Sequence, residues 1–181
     1  MRLPLATALV LLSIAAPAQA ATRVTTYNPW TADGNPKVKR WFHGSADRCR
    51  ASLVNSRPQA WRCISGNITL DPCFQSPTDD EVFCVSAPWA RRGFLLGAIL
   101  ETRGRSSARA PWAMQVGRAR CTFIRRSSRN RGRRRPTYRC ARGRGYLFGR
   151  PNRRRSTWTI RAARNRRGAG ARRVRVRRAW L

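Results

Sequence analysis

Short apolar stretches, separated by turn-forming residues, run through the chain from Trp41 onward. Their members are mostly β-branched or aromatic, and no helical spacing of apolar residues persists beyond about ten residues. Such short strands with turns between them are typical of a sandwich or a barrel, so we expect a mainly β fold, a small disulfide-stabilised β-sandwich or barrel-like domain. Strands are predicted over residues 50–55, 61–64, 81–85, 93–101, 113–116, 120–125, 137–140, 145–148, 157–162 and 173–180.

The first twenty residues have the three-part pattern of an export signal. Arg2 precedes an apolar run over residues 3–16, and the sequence PAQA then supplies the small-x-small pattern that signal peptidase accepts. This run is shorter than the roughly 20 residues that a bilayer-spanning helix needs. We therefore predict a secreted or extracellular product, able to associate with the cell envelope and without a transmembrane anchor after cleavage. The predicted parts are a signal peptide (1–20), an irregular N-terminal segment (21–40) and a single Cys/Trp-rich, Arg-rich β domain (41–181).

Six cysteines follow the predicted signal, where export makes oxidation the default. Zinc sites usually bring their ligands in close pairs, whereas these cysteines are far apart and His43 is the single histidine. We predict three disulfides, no metal and no cofactor. Six cysteines permit 15 pairings, of which we favour sequence neighbours, because each link then closes a loop worth about 3 kcal/mol. The residues concerned are Cys49, Cys63, Cys73, Cys84, Cys121 and Cys140.

The positive charge lies almost entirely in the second half of the chain. Residues 21–90 hold eight Lys and Arg against six acidic residues, a net charge of +2. Residues 91–181 hold thirty Arg against Glu101 alone, which gives +29 of the total of +32. Guanidinium groups fork onto phosphate, sulfate and carboxylate, and a field of this strength attracts polyanions. The alternative is drift toward arginine codons in a GC-rich genome, with a charged, solvated surface simply tolerated; it explains Arg over Lys well and the near absence of acidic residues poorly.

Two segments combine this charge with a geometry suited to binding. Residues 138–146 (YRCARGRGY) interleave arginine with two tyrosines, as single-stranded nucleic acid sites do. Rings beside a cysteine usually pack inward, so we favour the interpretation that both tyrosines belong to the core of a disulfide hairpin. In a strand over residues 173–177, alternate arginines would form a row about 7 Å apart on one face, with valines on the other. The predicted polyanion-binding residues are Arg133, Arg134, Arg135, Arg142, Arg144, Arg153, Arg154, Arg155, Arg173, Arg175 and Arg177.

These features predict a secreted, non-enzymatic binding domain that engages an anionic surface or polymer. Candidate partners are cell-envelope polymers, lipid headgroups of a membrane surface and nucleic acid. A cationic, membrane-active protein is another interpretation, because Trp with Arg favours membrane interfaces.

A secreted hydrolase acting on wall polymer is the competing hypothesis. It would draw on the lone His43 and on the carboxylates Asp71, Asp79, Asp80 and Glu81. No Gly-x-Ser-x-Gly elbow accompanies the histidine. Three consecutive acidic residues are more typical of a turn, and Asp71 beside Cys73 is more typical of a turn cap, so we predict that the protein is not an enzyme.

An ordered series of short motifs runs from the first cysteine to the end of the chain. Its members are Trp61-Arg62-Cys63, Asp71-Pro72-Cys73-Phe74, Cys84 with Pro88-Trp89, Pro111-Trp112-Ala113, Cys121, Tyr138-x-Cys140, Gly149-x-Pro151, Trp158-Thr159-Ile160 and Ala179-Trp180. The series resembles an uncharacterised group of small secreted proteins of high-GC bacteria, over about residues 49–180. The resemblance implies that the cysteines and tryptophans are scaffold, and it supplies no catalytic residue. The chain departs from the group in its arginine content, above all at residues 126–135.

Overall fold

The computed structural model describes residues 20–101, 110–124, 136–143 and 145–181, and the regular structure of these residues is almost entirely β. The predicted mainly β fold is therefore confirmed, and part of it is a barrel. The predicted signal peptide, apart from residue 20, lies outside the described residues. The elements are β1 (Arg23–Thr25), β2 (Arg40–Ala51), β3 (Ala60–Ser65), β4 (Ile68–Gln75), β5 (Glu81–Cys84), β6 (Arg92–Leu100), β7 (Ala113–Val116), β8 (Ala119–Phe123), β9 (Tyr138–Cys140), a 3-10 turn (Ala141–Gly143), β10 (Tyr146–Asn152), β11 (Thr159–Ala163), β12 (Arg172–Arg175) and β13 (Arg178–Trp180).

Strands β2 to β6 form a closed barrel. Successive strands are antiparallel, and the barrel closes where β6 lies parallel to β2. Alternate residues of each strand point inward, as the period of two requires. They fill the interior with a cluster that includes Ala46, Trp61, Val82, Leu96 and four cysteines.

The remaining strands form a curled eight-stranded sheet in the order β1-β13-β7-β8-β9-β10-β11-β12. The backbone N–H of Val176 donates to the carbonyl of Trp158 (2.9 Å), and that of Arg177 donates to the carbonyl of Gln115 (2.8 Å). The two residues between β12 and β13 therefore hydrogen-bond to the residue just before β11 on one side and to β7 on the other. These bonds bring the β12 end of the sheet close to the β7 end. The concave face encloses a second core of Met114, Cys121, Tyr138, Cys140, Leu147, Ile160, Val176 and Ala179.

A third, aromatic core joins the barrel to the convex face of the sheet. Phe83 and Phe74 of the barrel pack in one cluster with Trp112 and Trp180 of the sheet. The segment before the barrel supplies Tyr27, whose ring lies 5.3 Å from that of Phe74 and 5.4 Å from that of Trp112. Between residue 21 and the start of β2, the chain contains β1 and an isolated bridge between Trp30 and Pro36, and the side chains of Tyr27 and Trp30 make this segment part of the core.

Besides β1, which the sequence does not predict, three strand predictions are wrong, each for a physical reason. The sequence predicts no strand over residues 40–49, because residues 40–45 do not alternate between apolar and polar; in the structure both faces of this part of β2 are exposed. The predicted strand 50–55 is the end of β2, which stops at residue 51. Strand β4 escapes prediction because it contains Pro72, preceded by a cis peptide bond, and proline inside an apolar run argues against a strand. The predicted strand 173–180 is two strands, since residues 176 and 177 bridge to other parts of the sheet.

The disulfides join sequence neighbours, which confirms the favoured pairing. Each links residues directly opposite in adjacent antiparallel strands, with Cα–Cα distances of 4.1, 3.9 and 3.9 Å. In the barrel, three sulfurs lie within 4.8 Å of one another. Because all three belong to disulfides, they provide no thiolate ligand. The pairs are Cys49–Cys63, Cys73–Cys84 and Cys121–Cys140.

A buried phenol, that of Tyr138, and a partly buried one, that of Tyr27, should make the fold sensitive to alkaline pH. Burial raises the pKa of Tyr27 to about 12. Burial also raises the pKa of Tyr138, against the opposing charges of Arg153 and Arg150, and its hydroxyl donates to the carbonyl of Pro111 at 2.7 Å. An unfolded tyrosine loses its proton near pH 10, so the folded chain holds more protons above that pH and loses stability as pH rises further. The urea concentration at the unfolding midpoint should therefore be lower at pH 11 than at pH 9. Equal midpoints at the two pH values would contradict the raised pKa of these tyrosines.

Candidate polyanion-binding surface

The convex face of the sheet carries arginines on its last two strands. In the antiparallel register, Arg161 of β11 lies directly opposite Arg173 of β12, and Thr159 lies opposite Arg175. Residues two apart in a strand share a face, so the three arginines point the same way, and all three are exposed. Arg161, Arg173 and Arg175 are called the arginine face below.

Burial along β12 follows the alternation expected from the sequence. Arg173, Arg175 and Arg177 are exposed, whereas Val174 is half-buried and Val176 is 1% exposed, within the sheet's core. The strand itself ends at residue 175, but the alternation continues through residue 177. Within β12, the rise of a strand places residues 173 and 175 about 7 Å apart on one face.

The loop after β10 carries three more of the predicted binding residues. Arg153, Arg154 and Arg155 are all exposed. The guanidinium carbon of Arg153 lies 4.6 Å from the ring centroid of Trp158, a cation–π contact that fixes one arginine of the three. The backbone N–H of Arg154 donates to the side-chain oxygen of Asn152 (3.0 Å), so the loop begins with a hydrogen-bonded turn.

The other predicted binding residues fall outside the described part of the chain. They are Arg133, Arg134, Arg135 and Arg144, together with the side chain of Arg142. In the neighbouring segment, Tyr138 is fully buried, so it belongs to the core and cannot stack on a ligand. Tyr146 is half-buried.

A second basic loop, not among the predicted binding residues, lies beside the arginine face. Arg164, Arg166 and Arg167 are exposed on it. Gly168, with a φ of +77°, sits so close to Phe148 that a Cβ atom would be 3.1 Å from the ring. Phe148 lies opposite Arg161 in the sheet, so this contact holds the loop next to the arginine face. Arg161 is also absent from the binding residues predicted from the sequence. Its position between the apolar residues Ile160 and Ala162 indicates that it points away from the core, and this alternation could have identified it.

Like charges face each other across several strand pairs. Arg161 pairs with Arg173 in the sheet, and Arg50 pairs with Arg62 in the barrel. Arg50 has a counterion, since its Nε lies 2.6 Å from a carboxylate oxygen of Glu101. Residues 102–181 contain no acidic side chain, so the arginine face has no carboxylate from its own sheet. Like charges directly opposite are destabilising, and an external anion would offset that cost.

The candidate catalytic groups make local, structural contacts. His43 accepts a hydrogen bond at Nε2 from the indole N–H of Trp41 (3.1 Å). The carboxylate of Asp71 accepts from the hydroxyl of Ser52 (2.5 Å) and the backbone N–H of Leu53 (3.1 Å), as a turn cap does. Asp79 accepts from the hydroxyl of Thr78 (2.7 Å), next to Asp80 and Glu81 at the start of β5.

Comparison of the chain with protein-family models, curated proteins and solved structures finds no match to any of them. The resemblance to the Cys/Trp group therefore stays a prediction. Within the described ranges, no helix has the length and apolar character needed to cross a membrane.

Proposed function

We propose that the protein is an exported, non-enzymatic binding protein whose arginine face engages an extended, phosphate-bearing polymer outside the cell. The opposed pair Arg161 and Arg173, exposed in a sheet without acidic residues, is the observation that carries the proposal. Three disulfides support an extracellular setting, because such bonds persist in oxidising compartments. Anionic envelope polymers, lipid headgroups and extracellular nucleic acid all present this phosphate chemistry.

The geometry suits a linear ligand better than a compact one. Arg173 and Arg175 follow each other at the strand repeat, Arg177 is exposed just beyond the strand, and the loops with Arg153 and Arg166 carry further exposed charge. Successive guanidinium groups can each fork onto one anionic group of a chain. Residues 21–181 carry a net charge of +31, the sum of +2 and +29, which adds long-range attraction that speeds association but does not select a sequence.

The variant R161S/R173S/R175S tests the proposal with a short DNA duplex as the probe polymer. For a duplex, the logarithm of affinity falls with the logarithm of salt concentration by about 0.9 for each phosphate neutralised. We expect the variant to bind more weakly, with a slope shallower by about 0.9 for each phosphate that it no longer neutralises. Fluorescence anisotropy across a salt series measures both quantities.

The matched control is R48S/R91S/R118S, which removes three exposed arginines elsewhere and changes the net charge equally. It should leave the slope close to that of the wild type. Equal losses of affinity in the two triple variants would mean that charge alone, and not the arginine face, attracts the polymer. Negligible wild-type binding at 0.15 M salt, where the Debye length is about 8 Å, would reject polyanion binding itself.

A further inference from the structure

Strands β2 and β6 form a parallel ribbon whose first part is exposed. Residues 40–46 pair in register with residues 92–98, whereas β3 pairs with β2 only from residue 48 onward. Residues 40–45 are all exposed. This end of the barrel therefore presents a ribbon edge and side chains that the barrel core does not cover.

Two arginines and two phenylalanines meet on one face of that ribbon. Arg40 pairs with Arg92, and Phe42 pairs with Phe94. Because residues two apart share a face, the four side chains project together, with the arginines about 7 Å along the strands from the rings. The ring centroids lie 5.7 Å apart with an interplanar angle of 34°. These four residues are called the phenylalanine ledge.

The ledge is an outward continuation of the barrel interior. Phe94 lies opposite Cys84, which is buried inside the barrel, and Leu96, two residues further along β6, is 2% exposed. The rings themselves lie beyond the enclosed part, since Phe42 is 55% and Phe94 is 39% exposed. Large aromatic side chains exposed in a cluster mark binding surfaces in many proteins.

An open concavity of about 560 Å³ adjoins the ledge; it is lined by Arg40, Phe42 and Arg92 of the ledge, together with further cationic and aromatic side chains, while Phe94 lies outside this lining. No carboxylate is among its described lining residues, and Arg40 and Arg92 lie opposite each other across the ribbon. The site therefore offers flat rings for stacking and fixed positive charge beside them. Its lining residues are Lys39, Arg40, Trp41, Phe42, His43 and Arg92.

We propose that the phenylalanine ledge binds single-stranded nucleic acid. Unpaired bases stack on Phe42 and Phe94, and the adjoining phosphates pair with Arg40, Arg92 and Lys39, the combination by which single strands are held without sequence preference. A duplex cannot offer its bases to these rings, because they are stacked inside the helix. A bilayer fits less well, since Phe42 and the three cations line a concavity and a lipid-inserting surface protrudes. This site is separate from the arginine face and does not depend on it.

The test compares two labelled oligomers of equal length and charge, thymidine 12-mer and an abasic 12-mer, in binding to the oxidised protein at 0.15 M salt. Stacking of one base on an aromatic ring is worth at least about five-fold in affinity, and the ledge offers two rings. The wild type should bind the thymidine 12-mer about 10- to 100-fold more tightly than the abasic one. In F42L/F94L, which keeps apolar side chains but removes the flat rings, the ratio should fall to near 1 with abasic affinity unchanged.

Three further variants sharpen the result. I99S alters an apolar side chain of β6 that is 75% exposed but lies outside the ledge, and should keep the wild-type ratio. R40S/R92S should weaken both oligomers alike. R161S/R173S/R175S should also keep the ratio, so that failure of the ledge and failure of the arginine face are distinguishable.

Equal wild-type affinity for the two 12-mers overturns the proposal. A ratio that F42L/F94L leaves unchanged overturns it too, because the bases would then be stacking elsewhere. Vesicles containing phosphatidylglycerol provide the last arm. If they bind the wild type while the oligomers are not distinguished, the ledge is a membrane-contacting surface and the nucleic acid assignment is wrong.

Discussion

Replacing Cys121 and Cys140 by alanine should lower the free energy of unfolding by about 3 kcal/mol. The disulfide closes a loop between residues 19 apart, and it is the one link of this kind in the eight-stranded sheet. It joins β8 to β9, a three-residue strand with few other means of holding its place. Both sulfurs belong to the sheet's core, so alanine is a better replacement than serine, whose hydroxyl would be buried without a partner.

Urea unfolding followed by tryptophan fluorescence measures this effect. Two-state domains of this size are stable by about 5 to 15 kcal/mol, so a decrease of about 3 kcal/mol moves the midpoint well outside experimental error. The midpoint should fall with little change in slope if the native state is unaltered. A midpoint equal to that of the wild type would mean that the strand pairing alone sets the stability of the sheet.

Gly93→Ala should destabilise the protein by about 3 kcal/mol, through overpacking rather than through backbone strain. A Cβ atom at residue 93 would lie 2.1 Å from the Cζ atom of Phe83. That ring is fully buried and meets the ring of Trp30 at 5.8 Å, so it has no open space into which it can move. Either the ring or strand β6 must shift, and both belong to the aromatic core that joins the barrel to the sheet.

The chain supplies a matched control four residues along the same strand. At Gly97 an added Cβ atom meets nothing within 4 Å, so Gly97→Ala should be neutral or stabilising by about 0.5 kcal/mol. The double variant Phe83→Leu/Gly93→Ala should lose less free energy of unfolding than the sum of the losses in the two single variants, because the smaller side chain makes room for the methyl group. Equal midpoints for the two alanine variants would show that the core adapts at no cost.

Sequence patterns locate most strands because buried strands alternate or concentrate apolar residues. They locate the disulfides because short cysteine spacings match adjacent antiparallel strands. The patterns fail at β2, because its first half is exposed and its residues do not alternate between apolar and polar. They also fail at β4, because proline is unusual inside a strand and Pro72 therefore argues against one. In both cases the pairing partner, and not the local sequence, decides the conformation.

The candidate surfaces are harder to foresee than the fold. A row of arginines at alternate positions of β12 is readable from the sequence, since the period of two is local. The opposition of Arg161 to Arg173 depends on strand register, which the sequence around either residue does not state. The phenylalanine ledge escapes sequence reasoning altogether, because residues 42 and 94 become neighbours only through the parallel closure of the barrel.

That closure also orders the events of folding. Each disulfide links cysteines that are close in sequence, so its loop can close as soon as the two strands that it joins have been synthesised. By contrast, the barrel closes through strands 52 residues apart (Arg40 with Arg92), and β1 joins the sheet by pairing Arg23 with Arg178. Such distant contacts are slow to form. Local hairpins should therefore be oxidised before either sheet is complete, and a chain that ended before β13 would leave β1 without its partner strand and β7 as an open edge.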